Sequence, residues 1–335
     1  MKKDLLSISD LTASEIDPLF ILTADLKAQQ RKGIAHPLLP GKTLGMIFEK
    51  PSLRTRVTFD VGMTQLGGRA IYLAPAEIQL GVRETVKDVA KNLERWVDGI
   101  VARTFTHRTV QELAYHAMIP VINGLSDLTH PCQILADLFT LQEKCGTLHG
   151  IKVAYIGDGN NVCHSWLYGA ARTGIELHVA CPTGYEPNAD VVVASRREAE
   201  ASGGRITVLN DARAAAEGAD VLYTDAWTSM GQEAEAAKRR QDFQGFQVDA
   251  ALVRLAKPDV LVMHCLPAHR GEEITDEVLD GPHSIVYDEA ENRLHVQKAI
   301  LVTLLGRASE PTASAPVPES SRPTAQPILS AQQTS

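Results

Sequence analysis

Short runs of β-branched and aliphatic residues alternate along the chain with longer segments whose apolar positions recur at helical spacing. This alternation is typical of βαβ units, in which crossover helices join parallel strands. The runs predicted as strands form two groups. The first is Thr43–Phe48, Ala70–Leu73, Gly99–Arg103 and Pro120–Ile122, and the second is Lys152–Ile156, Glu176–Ala180, Val221–Thr224, Val260–His264 and Ser284–Tyr287. The pattern therefore predicts an α/β fold with two doubly wound parallel sheets.

A helix between the two groups is predicted to join them. The apolar residues of Ile134–Phe139 lie on one helical face of the segment Pro131–Lys144, and Gly146 is a suitable stop. We therefore expect a boundary near residue 147, with one domain over residues 1–147 and a second over residues 148–307.

Two further helices are predicted at the ends of this body. The first begins after Thr12, whose hydroxyl forms a capping-box pattern with Glu15, and Pro18 is expected to kink it. The last helix covers about residues 290–305 and can pack back on the first domain. The two domains are thus predicted to be joined by helices.

Composition narrows the class of protein. The chain has 335 residues, which at roughly 150 residues per domain is enough for two domains. Its 33 Lys and Arg residues against 41 Asp and Glu residues give a net charge of −8, which argues against a broad surface for nucleic acid or anionic lipid. No apolar run approaches the roughly 20 residues that span a bilayer. We therefore expect a soluble cytoplasmic protein with no membrane or nucleic-acid partner.

The cysteines and the C-terminal segment refine this picture. The five cysteines are odd in number and form no C-x-x-C pair, which favours free thiols in a reducing compartment. Residues 308–335 contain five of the 17 prolines and no aromatic residue. Such a segment buries too little apolar surface to offset its ordering entropy, so we predict a disordered tail over residues 308–335.

The segment after the first strand has the pattern of an anion site. The strand ends at Phe48 and apolar residues resume at helical spacing from Phe59, so Ser52, Arg54 and Thr55 fall at a helix N-terminus. Unpaired backbone N–H groups there, with a guanidinium and two hydroxyls, favour phosphate as the ligand. Taken alone, these residues would equally well form a simple helix cap.

Other polar residues follow predicted strands, at the edge where open α/β sheets bind ligands. His130 can donate to a carbonyl oxygen, and the amide of Gln133 can meet an NH2 group. The turn at Gly157 begins like a dinucleotide motif, but Val162 occupies the place of the third glycine. This turn instead predicts an exposed Asn161 at a helix N-terminus.

Two later segments also carry candidate chemistry. Asp225 and Ser229 suit an ammonium group, although a structural aspartate in a turn is the alternative interpretation. His264, Cys265 and His269 are residue types that bind zinc, but the sequence offers no second ligand pair at matching spacing. We therefore predict no metal site, and packing of a buried thiol is the simpler interpretation of Cys265.

Four of these motifs together resemble those of the aspartate/ornithine carbamoyltransferase family, over residues 1–307. They are Ser52-Leu-Arg-Thr55, His130-Pro-Cys-Gln133, Asp225-x-x-x-Ser229-Met-Gly231 and His264-Cys-Leu-Pro267. The second, third and fourth motifs match the ornithine-using members rather than the aspartate-using ones. The resemblance implies an active site in the cleft between the domains, the first binding carbamoyl phosphate and the second L-ornithine. It also implies a homotrimer or a multiple of trimers, and no cofactor.

The family's functional residues carry over residue by residue. The implied carbamoyl phosphate contacts are Ser52, Leu53, Arg54, Thr55, Arg103, His130, Pro131, Cys132, Gln133, Cys265, Leu266 and Arg293, with Gln79 reaching a neighbouring subunit's site. The implied ornithine contacts are Asn161, Asp225, Ser229 and Met230, and the implied catalytic residues are Arg54, Arg103, His130, Asp225 and Cys265. Leu53 departs from the threonine that is common in the family; it lacks a hydroxyl but keeps the backbone N–H.

The reaction that the resemblance implies is attack of the neutral δ-amine of ornithine on the carbonyl carbon of carbamoyl phosphate. It gives L-citrulline and phosphate, in arginine biosynthesis or arginine catabolism, and we expect the Ser229–Gly231 loop to close over the substrates.

Three alternatives stay open: a carbamoyltransferase for another amine such as N-acetylornithine or putrescine, a nicotinamide dehydrogenase, and a non-catalytic binding protein.

Overall fold

The computed structural model describes residues 3–229 and 231–306, and its strands form two entirely parallel sheets. The first sheet has the order β2-β1-β3-β4, and its strands are β1 (Thr43–Phe48), β2 (Arg69–Leu73), β3 (Gly99–Arg103) and β4 (Val121–Leu125). The second has the order β7-β6-β5-β8-β9, and its strands are β5 (Lys152–Ile156), β6 (Glu176–Ala180), β7 (Arg205–Leu209), β8 (Val221–Thr224) and β9 (Leu261–His264). The predicted fold class is confirmed.

Helices connect and cover the strands. Those before β5 are α1 (Ala13–Arg31), α2 (Leu53–Gln65), α3 (Pro75–Ile78), α4 (Val86–Trp96), α5 (His107–His116) and α6 (Pro131–Cys145). Those after β5 are α7 (Asn161–Thr173), α8 (Ala189–Ser202), α9 (Ala212–Ala216), α10 (Ala236–Asp242), α11 (Ala250–Val253), α12 (Asp276–Leu279) and α13 (Val286–Leu305). Short 3-10 turns lie at Ile8–Asp10 and Glu233–Glu235. None of the helices in the described ranges is long and apolar enough to cross a bilayer.

Two strand predictions need correction. Ser284–Tyr287 is not a strand: Ser284 makes a single bridge to Val262, and Val286 begins α13. The β-branched run is only two residues long, and the apolar positions that follow it repeat at helical spacing, so the helix prevails. No strand is predicted from the sequence at β7, where β-branched residues from Ile206 to Val208 lie between Gly204 and Asn210. β7 is an edge strand with few fully buried positions, so its pattern is weak.

α6 and α13 lie between the two sheets. α6 is buried from Pro131 to Leu141 and ends at Gly146, whose φ of 77° is the left-handed conformation that glycine adopts freely. α13 packs against α1, α2 and α6 and contacts β9. α1 begins after Thr12 with the expected capping box to Glu15. The two long buried helices thus connect the surfaces that carry the predicted site residues.

Strand direction brings the candidate chemistry to one place. All six residues of β1 are buried, as expected for a central parallel strand covered by helices on both faces. In each sheet the strands run the same way, so their carboxyl ends meet at one edge. Phe48, Arg103, Thr224 and His264 are the last residues of four strands. The loops that follow these strands form the cleft described next.

Candidate active site

One cleft of about 2110 Å³ opens between the carboxyl ends of the two sheets. The predicted site residues that line it are Ser52, Leu53, Arg54, Thr55, Arg103, His130, Gln133, Asn161, Asp225, Ser229, Cys265, Leu266 and Arg293. Gln79, Pro131 and Cys132 do not line it, and Met230 lies outside the described residues, as does the segment 308–335. The fold therefore brings together residues from the four family motifs and from the turn that follows β5.

The N-terminus of α2 opens onto this cleft. Pro51 ends the extended segment after β1, and Ser52 is the N-cap residue with a φ of −155°. The Ser52 side chain makes no capping hydrogen bond within the described chain, so the first-turn N–H groups are not satisfied by it. These N–H groups, together with the positive end of the helix dipole, favour an anion at this point.

Three arginines surround the same position. Arg293 Nη2 donates to Thr55 Oγ1 at 3.0 Å and its Nη1 donates to Gln133 Oε1 at 2.6 Å. Burial, together with the positive charges of Arg293 and Arg54, lowers the pKa of Arg103 to about 10. The Nε atoms of Arg103 and Arg293 are buried without a hydrogen-bond partner in the described part of the chain. This excess of cationic donors makes the site electrostatically suited to a phosphate group.

The imidazole ring of His130 is neutral, so one ring nitrogen can donate a hydrogen bond and the other can accept one. His130 is the N-cap residue of α6, and its backbone N–H donates to Ser165 Oγ at 2.7 Å. Burial and the nearby arginines lower the pKa of its imidazole well below the ordinary value, and Nδ1 has no hydrogen-bond partner within the described residues. A neutral imidazole can donate one N–H to a carbonyl oxygen without adding a full charge.

Gln133 has a fixed amide orientation. Its Nε2 donates to Asp137 Oδ1 at 2.8 Å and to Glu289 Oε1 at 2.9 Å, while its Oε1 accepts from Arg293. The neighbouring Cys132 side chain points away from the cleft, because Sγ donates to the carbonyl of Asn123 at 3.5 Å. Gln133 is therefore the polar link between the cleft and a buried pair of carboxylates.

The glycine-rich turn after β5 is shaped by close packing. A Cβ atom on Gly159 would clash with the backbone nitrogen of Pro187, so only glycine fits there. Asn160 caps α7, and Asn161 Nδ2 donates to the carbonyl of Ser126, after β4, at 2.7 Å. Close packing against Pro187 therefore accounts for Gly159, and no bound nucleotide is needed to explain this glycine. The same turn brings Asn161 to the cleft.

Asp225 and Cys265 face the arginines from the second sheet. Cys265 Sγ donates to Asp225 Oδ1 at 3.0 Å, and Asn160 Nδ2 donates to Asp225 Oδ2 at 2.8 Å. Burial and the Asp225 carboxylate raise the pKa of the Cys265 thiol well above its ordinary value. Cys265 is thus a protonated thiol at neutral pH and not a nucleophile. Asp225 is the negatively charged group available to an ammonium.

Both ring nitrogens of His264, the last residue of β9, already make hydrogen bonds. The donor atoms of Asp225, His264 and Cys265 lie within 4.8 Å of one another, a spacing at which a metal ion can be considered. His264 Nδ1 accepts from the Leu266 N–H at 2.8 Å, and Nε2 bonds Glu273 at 3.0 Å. Neither ring nitrogen keeps a free lone pair for a metal, so these residues do not fit a zinc site.

Three residues beneath the cleft were missed by sequence reasoning: Asp137, Tyr223 and Glu289. Asp137 lies on the buried face of α6, and Tyr223 OH donates to its Oδ2 at 3.0 Å. Glu289 accepts from the His264 N–H at 3.0 Å. The available signals were a carboxylate inside an apolar helical face, and a glutamate four residues before Arg293 on one helix.

Two family models match the chain. The model described as "Aspartate/ornithine carbamoyltransferase, carbamoyl-P binding domain" matches residues 3–143. The model described as "Aspartate/ornithine carbamoyltransferase, Asp/Orn binding domain" matches residues 149–304. Together they cover both sheets and every described residue that lines the cleft.

Similar proteins agree with these matches. The ornithine carbamoyltransferase of Methanoculleus marisnigri is 53% identical over 305 residues, covering 91% of this chain and 97% of that protein. A protein of Pyrococcus furiosus named ornithine carbamoyltransferase, anabolic, is 53% identical over 304 residues, covering 91% of this chain and 96% of its own length.

Solved structures give the same result. The ornithine carbamoyltransferase structure from Pyrococcus furiosus superimposes with a TM-score of 0.89 at 53% identity, covering 91% of this chain and 97% of that one. The structure of the enzyme from Thermus thermophilus has a TM-score of 0.81 at 48% identity, covering 91% of this chain and 99% of that one. With motifs, cleft and fold all in agreement, the chain belongs to the aspartate/ornithine carbamoyltransferase family.

Proposed function

We propose that this protein transfers the carbamoyl group of carbamoyl phosphate to the δ-amine of L-ornithine, giving L-citrulline and phosphate. The observation that carries the proposal is the charge pattern of the cleft. Arg54, Arg103 and Arg293 surround the α2 N-terminus on one side, and Asp225 with Cys265 lies on the other. An anion and an amine are thus attracted to adjacent positions. The names of the relatives support ornithine as the amine.

The part of the chain from residue 1 to 147 binds carbamoyl phosphate in this proposal. The N–H groups after Ser52, the Thr55 hydroxyl and the guanidinium of Arg54 hold the phosphate. Arg103 and His130 donate to the carbonyl oxygen. The carbamoyl NH2 group donates to the remaining lone pair of Gln133 Oε1 and to backbone carbonyls at Cys265 and Leu266.

Residues 148–307 bind ornithine. Asp225 and Ser229 hold the α-amino group, and Asn161 with the Met230 backbone holds the carboxylate. The δ-amine then lies near Cys265, whose thiol is already hydrogen-bonded to Asp225. The match of the second family model, whose description names aspartate/ornithine binding, to residues 149–304 supports this division.

The chemical step needs no covalent intermediate on the protein. The neutral δ-amine attacks the carbonyl carbon, and charge develops on the carbonyl oxygen, where neutral His130 and cationic Arg103 donate hydrogen bonds. The C–O bond to phosphate breaks as the carbonyl re-forms, and the proton that the nitrogen loses passes to the departing phosphate, which leaves as hydrogen phosphate. Arg54 with the α2 N-terminus stabilises this leaving group. Most of the acceleration comes from holding two substrates in attack geometry.

The functional assembly in this proposal is a homotrimer or a multiple of trimers. The outer face of α2 exposes Leu53, Val57 and Val61, whose relative exposures are 74%, 47% and 39%. These residues recur every four positions and form an unpaired apolar stripe beside the cleft. Gln79, which does not line its own chain's cleft, is then available to the site of a neighbouring subunit.

The proposal also includes the cellular compartment and the direction of the pathway. We assign the protein to the cytoplasm, where its five unpaired thiols stay reduced. The word "anabolic" in the name of the Pyrococcus furiosus relative favours the direction towards arginine biosynthesis.

A citrulline-release assay tests the proposed function directly. The purified protein is mixed with carbamoyl phosphate and, separately, with ornithine, N-acetylornithine, putrescine or aspartate. We expect turnover with ornithine to exceed turnover with each other amine by at least about 100-fold, because ornithine alone among these amines combines an α-amino group, a carboxylate and a δ-amine. Turnover with another amine would reassign the acceptor, and carbamoyl transfer to none would overturn the proposal.

A further inference from the structure

Two carboxylates lie together beneath the proposed carbamoyl phosphate site. Asp137 on α6 and Glu289 on α13 are 0% and 1% exposed. The single nitrogen Gln133 Nε2 donates to both, at 2.8 Å to Asp137 and 2.9 Å to Glu289. The two groups are therefore close enough to share one donor, and the third contact of that glutamine is Arg293.

Neither carboxylate has a cationic side chain in contact within the described residues. No side-chain nitrogen of Lys, Arg or His lies within 4.0 Å of either one in residues 3–229 and 231–306. Their other partners are the Tyr223 hydroxyl, at 3.0 Å from Asp137, and the His264 backbone N–H, at 3.0 Å from Glu289. Two buried like charges at this spacing cannot both ionise near neutral pH, so the pair must retain a proton.

Of the groups that surround the pair, His130 has a pKa below the range from about pH 7 to about pH 9, and Cys132, Tyr223, Cys265 and Arg103 have pKa values above it. The groups facing the pair are His130 and Cys132 of the α6 N-terminus, Tyr223 of β8, His264 and Cys265 at the end of β9, Arg293 of α13, Arg54 of α2 and Arg103 of β3. Burial lowers the pKa of His130 well below neutrality and raises the pKa values of Tyr223 and Cys265. Burial also raises the pKa of Asp137 to about 7 and that of Glu289 well above its ordinary value.

We propose that Asp137 and Glu289 are a proton-sharing pair of positioning residues whose retained proton is required for tight binding of carbamoyl phosphate. The proposal rests on the proposed function of the cleft. With the proton present, the Gln133 amide keeps Oε1 towards Arg293, and Arg293 keeps its bond to Thr55 at the phosphate position. Loss of the proton places a second negative charge beneath the anion and draws Arg293 towards the pair.

The test is binding of phosphonoacetamide, a stable analogue of carbamoyl phosphate, measured by calorimetry from about pH 7 to about pH 9. For the wild type we expect the Kd to rise about tenfold or more over this range, because a like charge appears near the phosphonate. The variant Asp137→Asn keeps the shape of the side chain but removes one ionisable group. Its Kd is expected to lie within about threefold of the wild type at pH 7 and to stay flat up to about pH 9.

A matched control separates the effect of the buried pair from the effect of removing a negative charge elsewhere on α13. Asp288→Asn changes the adjacent residue of α13, whose carboxylate is 42% exposed and pairs with Lys144. This variant should show the same rise in Kd with pH as the wild type. A wild-type Kd that does not change with pH, or an Asp137→Asn variant with an unchanged pH dependence, would overturn the proposal.

Proton uptake provides a measurement that needs no variant. Binding of phosphonoacetamide to the wild type at pH 9 in buffers of different ionisation enthalpy should show uptake of protons by the complex, and zero uptake contradicts the proposal. These measurements contain no amine. If phosphonoacetamide binds as expected but citrulline release fails with ornithine, the acceptor assignment is wrong and the proton-sharing pair stands.

Discussion

The three arginines of the cleft are held in different ways. Arg293 is fixed by hydrogen bonds to Thr55 and Gln133, so its position is set before any ligand binds. Arg54 and Arg103 make no comparable side-chain bond among the described residues, and burial lowers the pKa values of both. Such partly desolvated cations interact strongly with an anion, since water screens them less than at an open surface.

Replacement of Arg54 by alanine should weaken carbamoyl phosphate binding and leave the fold intact. We expect the Kd of phosphonoacetamide to rise about 100-fold, because a partly buried charge-assisted contact is lost. Calorimetry measures the affinity and circular dichroism measures the fold. The control Arg108→Ala removes a guanidinium that is 85% exposed on α5 and should bind normally. Near-normal affinity in Arg54→Ala would mean that the phosphate binds elsewhere.

Replacement of Asp225 by asparagine should act on ornithine and not on carbamoyl phosphate. The asparagine oxygen can still accept from Cys265, but the negative charge that attracts the ammonium is gone. We expect the KM for ornithine to rise about 100-fold, with the Kd of phosphonoacetamide changed less than about threefold. Steady-state kinetics with Asp190→Asn, an exposed carboxylate of α8, is the control. An unchanged ornithine KM would refute the assigned role.

At the scale of elements, the buried lysine of α13, Lys298, joins this helix to α1 and α2 through hydrogen bonds. Lys298 Nζ donates to Gln30 Oε1 at 2.8 Å and to Gln65 Oε1 at 3.0 Å, and it lies 3.1 Å from His36 Nε2. α13 is thereby tied to the C-terminal end of α2, whose N-terminus forms the anion site. No carboxylate is in contact with Lys298 in the described chain, and burial lowers its pKa to about 8.

The lowered pKa of Lys298 therefore predicts that the stability of the fold depends on pH. Its pKa in the folded state is below the value of about 10.4 expected in the unfolded chain, so the unfolded chain binds more protons between these values. The free energy of unfolding should rise as pH increases from about 8 to about 10, by about 2 kcal/mol. Denaturant unfolding at each pH measures it. Lys298→Met should lose this rise relative to Lys91→Met, a surface control; an equal rise in both would contradict the prediction.

Elements with a strong local pattern were predicted well. β1, β3, β5, β6 and β8 have the expected bounds, because each is a short run rich in aliphatic residues. β7 was missed and Ser284–Tyr287 was wrongly predicted as a strand. In both segments the run of β-branched residues is short, so packing against a neighbouring element decides whether a strand forms.

At the scale of the whole molecule, the apolar stripe on α2 provides a test of assembly. Val57→Asp places a charge in the middle of this stripe, whereas Val193→Asp places one on the exposed face of α8. Light scattering should give at least three times the chain mass of 36.4 kDa for the wild type and for Val193→Asp. We expect Val57→Asp to give monomers, because a buried unpaired charge opposes association. A wild-type monomer would contradict the proposed trimer.

The sequence by itself determined the α/β class, the two groups of strands, the family and most of the predicted site residues that line the cleft. These features depend on local patterns, such as apolar periodicity, helix starts and short motifs at the ends of strands. Only the tertiary structure brought Glu289 to Gln133, 156 residues away along the chain, and set it beside Asp137. It also decided that Arg293 meets Thr55 and that His264 uses both ring nitrogens. Burial and pKa depend on which distant elements pack together, and no local pattern specifies that.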